Sequence, residues 1–276
     1  MNLKKKMLSL AIGLGLGASI GFSGTVSAEE VFVPLISKGF QHQFWQAVKS
    51  GADQAGKDLN VKVTFEGPES EAMVDKQIDM LSAALAKKPS AIGFAALDSK
   101  AAIPLLKKAQ AAKIPVIAFD SGVDSDIPLT TTTTDNLAAA GLAADKMAEL
   151  IGGEGDVAVL VHDQTSRTGI DRRDGFLNQV KAKYPKIKVV SVQYGAGDHL
   201  KSTEVAKAVL QANPNLKGYF GANEGSAIGV LNAAKEMKRK VVIIGYDSGK
   251  QQKAAVASGE MAGAITQNPV GMGYKT

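Results

Sequence analysis

The chain has 276 residues, 45% of them hydrophobic, and a mean hydropathy of zero, enough for two modest units and ordinary for a globular protein. It contains no cysteine, which excludes disulfides, thiol catalysis and cysteine-bound zinc. The formal net charge is +5, but three lysines fall within residues 4–6; without them it is +2, and no basic stripe remains to argue for nucleic acid.

The first segment in chain order reads as a leader. Lys4, Lys5 and Lys6 form a basic start, Met7 to Phe22 is uncharged and apolar, and Val26-Ser27-Ala28 offers small residues for cleavage before Glu29. Residues 1–28 are therefore expected to be a signal peptide, and the "GLGLG" inside it is no nucleotide loop. With no cysteine to carry a lipid, the mature protein is expected to diffuse freely in a periplasm.

Beyond the leader, strand-like and helix-like segments alternate. "EVFVPLI" leads to the helical "FWQAVKSGADQAGKDL", "VKVTFEG" to "EAMVDKQIDMLSAALAKK", and "AIGFAAL" to "KAAIPLLKKAQAAK", before "IPVIAFD". The helices repeat apolar residues at spacings of three and four, as at Val74, Ile78, Leu81 and Leu85. The strands are short unbroken apolar runs, the pattern of a parallel sheet covered on both faces. The rhythm breaks at "SGVDSDIPLTTTTTDN", whose five threonines favour extended backbone; it predicts a connecting segment, with Thr134 or Asp135 capping the next helix. After it, "DVAVLVH", "IKVVSVQ", "KGYFGA", "KVVIIGY" and "MAGAITQ" read as strands. Helices are expected at 136–153, 172–183, 200–212, 225–237 and 251–258. The fold class is α/β, two successive units of similar architecture.

In open parallel sheets, ligands bind beyond the carboxyl ends of the strands. Polar residues recur there in both units: Asp98, Asp120 with Ser121, His162 with Asp163, Asn223 with Glu224, Asp247, and Gln267. Asp98, just before Ser99 and a helix, reads as a cap. Carboxylates, amides and the Arg172 guanidinium balance acceptors against donors, which suits a neutral ligand rich in hydroxyls. A sugar ring also needs flat apolar partners, and Phe44 and Trp45 lie at the mouth of the first strand, in a chain where aromatics are only 5% of residues. Enzyme signatures are missing: no P-loop, HExxH or GxSxG occurs. His42, His162 and His199 lack metal-ligand spacing, so neither metal nor cofactor is expected. Asp120 and Asp247 leave open a glycosidase-like acid/base pair in an exported sugar-acting enzyme.

At these residues the chain resembles the periplasmic sugar-binding proteins of the ribose-binding type, which serve ABC importers. The resemblance runs through "QHQFWQAV", "IPVIAFDSG", "TTTTDN", "GIDRRDGF", "GYFGANEGSAIGV", "VVIIGYDSG" and "GAITQNP", in that order. It implies two Rossmann-like lobes joined by three hinge strands, the first crossing at Thr130 to Thr134 and the second at Ile265 to Gln267. It implies an N-terminal lobe of residues 29–133 to which 268–276 return, and a C-terminal lobe of 134–267. Phe44 and Trp45 would sandwich the sugar, with His42, Asp120, Ser121, Arg172, Asn223, Asp247 and Gln267 as polar contacts. Three departures stand out: His42 where ribose binders have Asn, Ser121 where they have Arg, and Gly197 where some relatives place an aromatic. They move the expected ligand from ribose itself to another pentose, a hexose or a polyol. The resemblance further implies capture by hinge closure, a monomer, ABC permease subunits as partners, and a chemoreceptor as an additional one. The family continues past "QNPVGMGYKT", so a shortened C-terminus with a weakened first lobe is also expected. A repressor sharing this fold would need an N-terminal helix-turn-helix, where this chain has a leader.

Overall fold

The computed structural model describes residues 30–276; the expected signal peptide lies outside the described residues. The chain forms β1 (Phe32–Ile36), α1 (Gln43–Leu59), β2 (Lys62–Glu66), α2 (Val74–Ala86), β3 (Ile92–Phe94), α3 (Ile103–Ala111), β4 (Val116–Phe119) and β5 (Thr131–Thr132). It continues through α4 (Asn136–Ile151), β6 (Gly155–Val161), α5 (Arg167–Lys183), β7 (Ile187–Tyr194), α6 (His199–Ala212) and β8 (Leu216–Gly221). It ends with α7 (Glu224–Glu236), β9 (Val242–Tyr246), α8 (Lys250–Ala257), β10 (Gly263–Ile265) and α9 (Pro269–Lys275).

These elements make two five-stranded sheets, every pairing parallel, ordered β2-β1-β3-β4-β5 and β7-β6-β8-β9-β10. The two orders are the same when each sheet is numbered from its own first strand. Each therefore reverses direction beside its first strand, the crevice where doubly wound sheets bind ligands. Apolar clusters cover both faces. Ile36, Phe94 and Leu106 pack with α2 and α3; Leu35, Trp45 and Phe119 pack with α1 and α9. In the second sheet, α4 and α5 cover one face and α6 and α7 the other. The α/β class with two lobes is thus observed as expected.

Several boundaries moved for local reasons. Asp135, of the two candidate caps, accepts from the Ala138 N–H at 3.0 Å and starts α4. Helix α5 starts at Arg167 rather than Arg172, because Ser166 Oγ accepts from Gly169 N. Helix α2 starts only at Val74, which leaves Glu71 in a turn and buried. Helix α9 lies against α1, glycine to backbone: a Cβ on Gly273 would collide with the Val48 carbonyl, and one on Gly51 with the Val270 carbonyl. Among the described residues no helix is long and apolar enough to cross a membrane.

The α1–α9 contact makes Gly273→Leu destabilising by about 1–3 kcal/mol, the range for overpacking, read by urea or thermal melts. Gly263→Ala, where a Cβ meets nothing within 4 Å, is expected to leave the midpoint almost unchanged.

Candidate functional site

The carboxyl ends of the two sheets face each other and touch. Lys38, just past β1, donates through Nζ to Thr168 Oγ1 at 3.0 Å on α5. Asn223 Nδ2 donates to Glu71 Oε2 at 3.4 Å. Glu224, at the start of α7, accepts from the Gln43 and Phe44 N–H groups at 3.2 and 3.3 Å. Helix α1 has no acidic residue in its own first turn, so a carboxylate from the opposite lobe supplies its N-terminal acceptor.

Two aspartates hold matching places in the two lobes. Asp120 follows β4 and Asp247 follows β9, with left-handed backbone at φ +55° and +78°. Their N–H groups donate to the strands that leave each sheet, Asp120 to Thr132 O at 2.9 Å and Asp247 to Ile265 O at 2.7 Å. The other left-handed non-glycine residues described here lie in turns after helices or in the loop before α6. A non-glycine residue in this region is strained, and such strain concentrates at sites where a side chain must be aimed.

Arg172 is held flat. Its Nε donates to Asn136 Oδ1 at 2.8 Å, its Nη1 to Ala222 O at 3.0 Å, and the guanidinium lies 3.7 Å over the Tyr246 ring. These bonds use two of its five N–H donors. Asp247 accepts from Glu224 N at 2.9 Å and from Gln267 Nε2 at 2.7 Å, and Gln267 Oε1 accepts from Thr134 Oγ1 at 2.7 Å. Asn223 caps α7, its Oδ1 accepting from Ser226 N at 2.8 Å. Ser121 Oγ is buried with no partner among the described residues. Asp98 accepts from Lys100 N and Ala101 N in the turn after β3; it does not cap a helix as expected, because α3 starts only at Ile103, with Ala102 before it and no side-chain cap.

The charges are shared across the cleft. Burial pushes the Asp120 carboxyl up to about 6, with Lys38 and Arg172 pulling it down and Glu71 and Asp247 pushing it up. Glu71 is as deeply buried, yet its pKa falls, because Lys38, His42, His162 and the Trp45 N–H together outweigh desolvation. Burial, Lys38 and Arg172 hold His162 neutral, down to about 3. Desolvation opposes the Arg172 charge, but Tyr246, Asp247, Asp120 and Glu71 raise its pKa.

The structure corrects the aromatic sandwich. Phe44 and Trp45 pack edge to face, 4.9 Å between centroids at 81°, so no ring fits between them. Trp45 is 1% exposed, lies in the core of the first lobe and donates its indole N–H to Glu71 Oε1 at 2.8 Å. Phe44 is half-buried beside it. Sequence reasoning also omitted Lys38, Glu71 and His199 from the site, and named Glu224 at a strand end without making it a contact. Lys38 and Glu224 carried the strand-end signal used for the others; Glu71 and His199 carried none. His42 is buried and stacks on His199, centroids 5.6 Å apart at 24°. One ligand atom from each of His42, His199 and Glu224 lies within 4.8 Å of the others, a grouping that linear spacing argued against.

The chain is similar to proteins of known structure. A carbohydrate transporter solute binding protein from Agrobacterium radiobacter, in complex with D-arabinose, is 38% identical, with a TM-score of 0.86 over 90% of this chain and 86% of that one. An ABC transporter solute binding protein from Agrobacterium vitis with bound D-fucose is 35% identical, with a TM-score of 0.85 over 88% and 86%. The D-allose-binding periplasmic protein of Escherichia coli K12 is 28% identical over 97% of this chain and 88% of its own length. Residues 33–276 match the periplasmic binding protein domain, and the chain belongs to that family.

Proposed function

We propose that this protein captures a sugar or sugar-like polyol between its lobes and presents it to an ABC importer, without chemistry. The observation that carries this reading is the convergence of Asp120, Arg172, Asn223 and Asp247, all buried, from strand ends and from α5 into one closed cleft. Carboxylates take hydroxyl protons; Arg172 and amides give hydrogen bonds back. The relatives' bound sugars support the same ligand class for this chain.

The lobe boundaries that fit this reading are 29–133 with 268–276 for the first lobe and 134–267 for the second. Strand β5 pairs with β4 just before Asp135 opens α4, and α9 packs on α1 just after β10 pairs with β9. The crossings at Thr130 to Thr134 and Ile265 to Gln267 act as the hinge. Contacts that need both lobes, such as Lys38 to Thr168, exist only when it is closed, so a ligand touching both lobes shifts the population toward closure. Export by the leader places the protein in the periplasm. Phe44 offers a sugar one apolar face, from one side only.

A thermal-shift panel of pentoses, hexoses and polyols tests the reading. A true ligand stabilises by about 4 kcal/mol at a thousandfold excess over Kd, and is recovered unchanged from the complex. A folded protein that responds to none of them sinks the sugar assignment, and a converted sugar sinks capture without chemistry.

The Asp120 shift gives a second expectation. A hydroxyl donates to the ionised carboxylate, so sugar affinity by calorimetry rises with pH through about 6. The free protein behaves in the opposite sense: the folded state holds the Asp120 proton more tightly than the unfolded chain. That contribution to stability therefore falls as pH rises from about 4 to about 6. Asp120→Asn should flatten both profiles and weaken binding by about 1.5–3 kcal/mol, the worth of a charged hydrogen bond.

A further inference from the structure

Three groups meet at one edge of the cleft, and two of them, His199 and Glu224, belong to none of the expected sugar contacts. His42 precedes α1 in the first lobe, while His199 and Glu224 begin α6 and α7 in the second. His42 is 2% exposed, and neither of its ring nitrogens has a hydrogen-bond partner among the described residues. Nε2 of His199 is likewise buried and unpartnered. Burying such nitrogens unpaired is costly, so they call for a partner.

The backbone passes close to this cluster. A Cβ on Gly225 would collide with the Gly197 carbonyl and then meet His42 Cε1 at 3.0 Å, and one on Gly197, itself at φ +66°, would lie 2.8 Å from Glu71 Oε2 and 3.5 Å from His42 Nε2. Glu71 Oε2 stands 3.9 Å from His42 Nε2, beyond hydrogen-bond distance, so it leaves that nitrogen unpaired. Two imidazoles and a carboxylate form a donor set suited to zinc, and imidazole ligation also suits nickel and copper; magnesium and calcium prefer oxygen alone.

We propose that His42, His199 and Glu224 form an interlobe site for a transition-metal dication of the zinc class, and that its occupancy holds the lobes closed. The lobe-closing part rests on the hinge reading above; metal binding does not. Tetrahedral zinc, with bonds of about 2.0–2.2 Å, spaces its ligand atoms about 3.3 Å apart. The three atoms lie within 4.8 Å of one another, and zinc binding would need the stacked His42 and His199 rings to turn so that both point a nitrogen at the metal. Glu224 would exchange its bonds to the Gln43 and Phe44 N–H groups, in whole or in part, for the metal. The fourth position is left for water or a ligand hydroxyl. Because the ligands come from both lobes, metal and sugar would each favour the closed state and so each tighten the other's binding.

Zinc chloride alone, titrated into chelator-treated protein, tests the site apart from any sugar. Calorimetry should give one saturable site, the melting temperature should rise, and cobalt should give a tetrahedral d–d spectrum. X-ray absorption on the wild-type zinc protein should show two imidazole ligands, a measurement that does not depend on any variant folding. His199→Gln and Glu224→Gln, checked for a cooperative melt, should each weaken zinc by at least about tenfold, the low end of the cost of losing a supporting partner. Small-angle scattering should show compaction on adding zinc. No saturable binding, undiminished binding in both folded variants, or an equal response to magnesium overturns the site; binding without compaction overturns the locking role. The sugar panel run in chelator is read separately, so failure of sugar capture and failure of the metal site give different results.

Discussion

The N–H of Asp120 donates to Thr132, and the N–H of Asp247 to Ile265, each on the strand that leaves its sheet for the other lobe. In the proposed capture these two backbone bonds would couple recognition to the crossings between the lobes. Each aspartate sits in left-handed backbone, a state that costs a non-glycine residue on the order of 1–3 kcal/mol and persists only where the surroundings hold it. The crossing strands are part of what holds it. Gln267 extends the coupling, since its amide donates to Asp247 and its oxygen accepts from Thr134, one residue on each crossing. A shift in either crossing therefore moves the Asp120 and Asp247 carboxylates.

Closure also removes charge from water. Lys38, Glu71, Asp120, Arg172 and Asp247 are all buried, and a buried charge is tolerable only when paired or hydrogen-bonded. Most of them satisfy one another: Glu71 is stabilised as a carboxylate, and Arg172 keeps its charge against the Tyr246 ring. Asp120 is the site carboxylate left most exposed to the cost, with its pKa at about 6. In the proposed capture, a ligand hydroxyl donated to it would relieve that cost and turn an unfavourable feature of the free closed form into selectivity for the bound one. His42, His199 and Glu224 follow the same logic with a different partner.

The alternation of short apolar runs with helices of 3.6-residue period was legible because burial on both faces leaves strands no polar alternation and helices one apolar stripe. The strand-end rule then placed Asp120, Asn223, Asp247 and Gln267 at the cleft, because backbone direction fixes which end of a parallel strand faces the crevice. It failed for Phe44 and Trp45, whose adjacency said nothing of ring planes. Core packing turned Trp45 against Phe119, and its polar edge toward Glu71. It failed for Glu71 too, because a sequence compatible with an earlier helix start is in fact a turn.

The sequence by itself determined the α/β class, two lobes of like design, and a cleft lined with balanced donors and acceptors, since periodicity, strand direction and residue chemistry are local properties. Tertiary structure alone decided which distant groups meet. His42 and His199 stack, Glu224 caps a helix of the other lobe, and Lys38 reaches Thr168, because the two sheets face each other across a hinge. No linear spacing encodes that geometry; it follows from how two covered sheets close and what their closure buries.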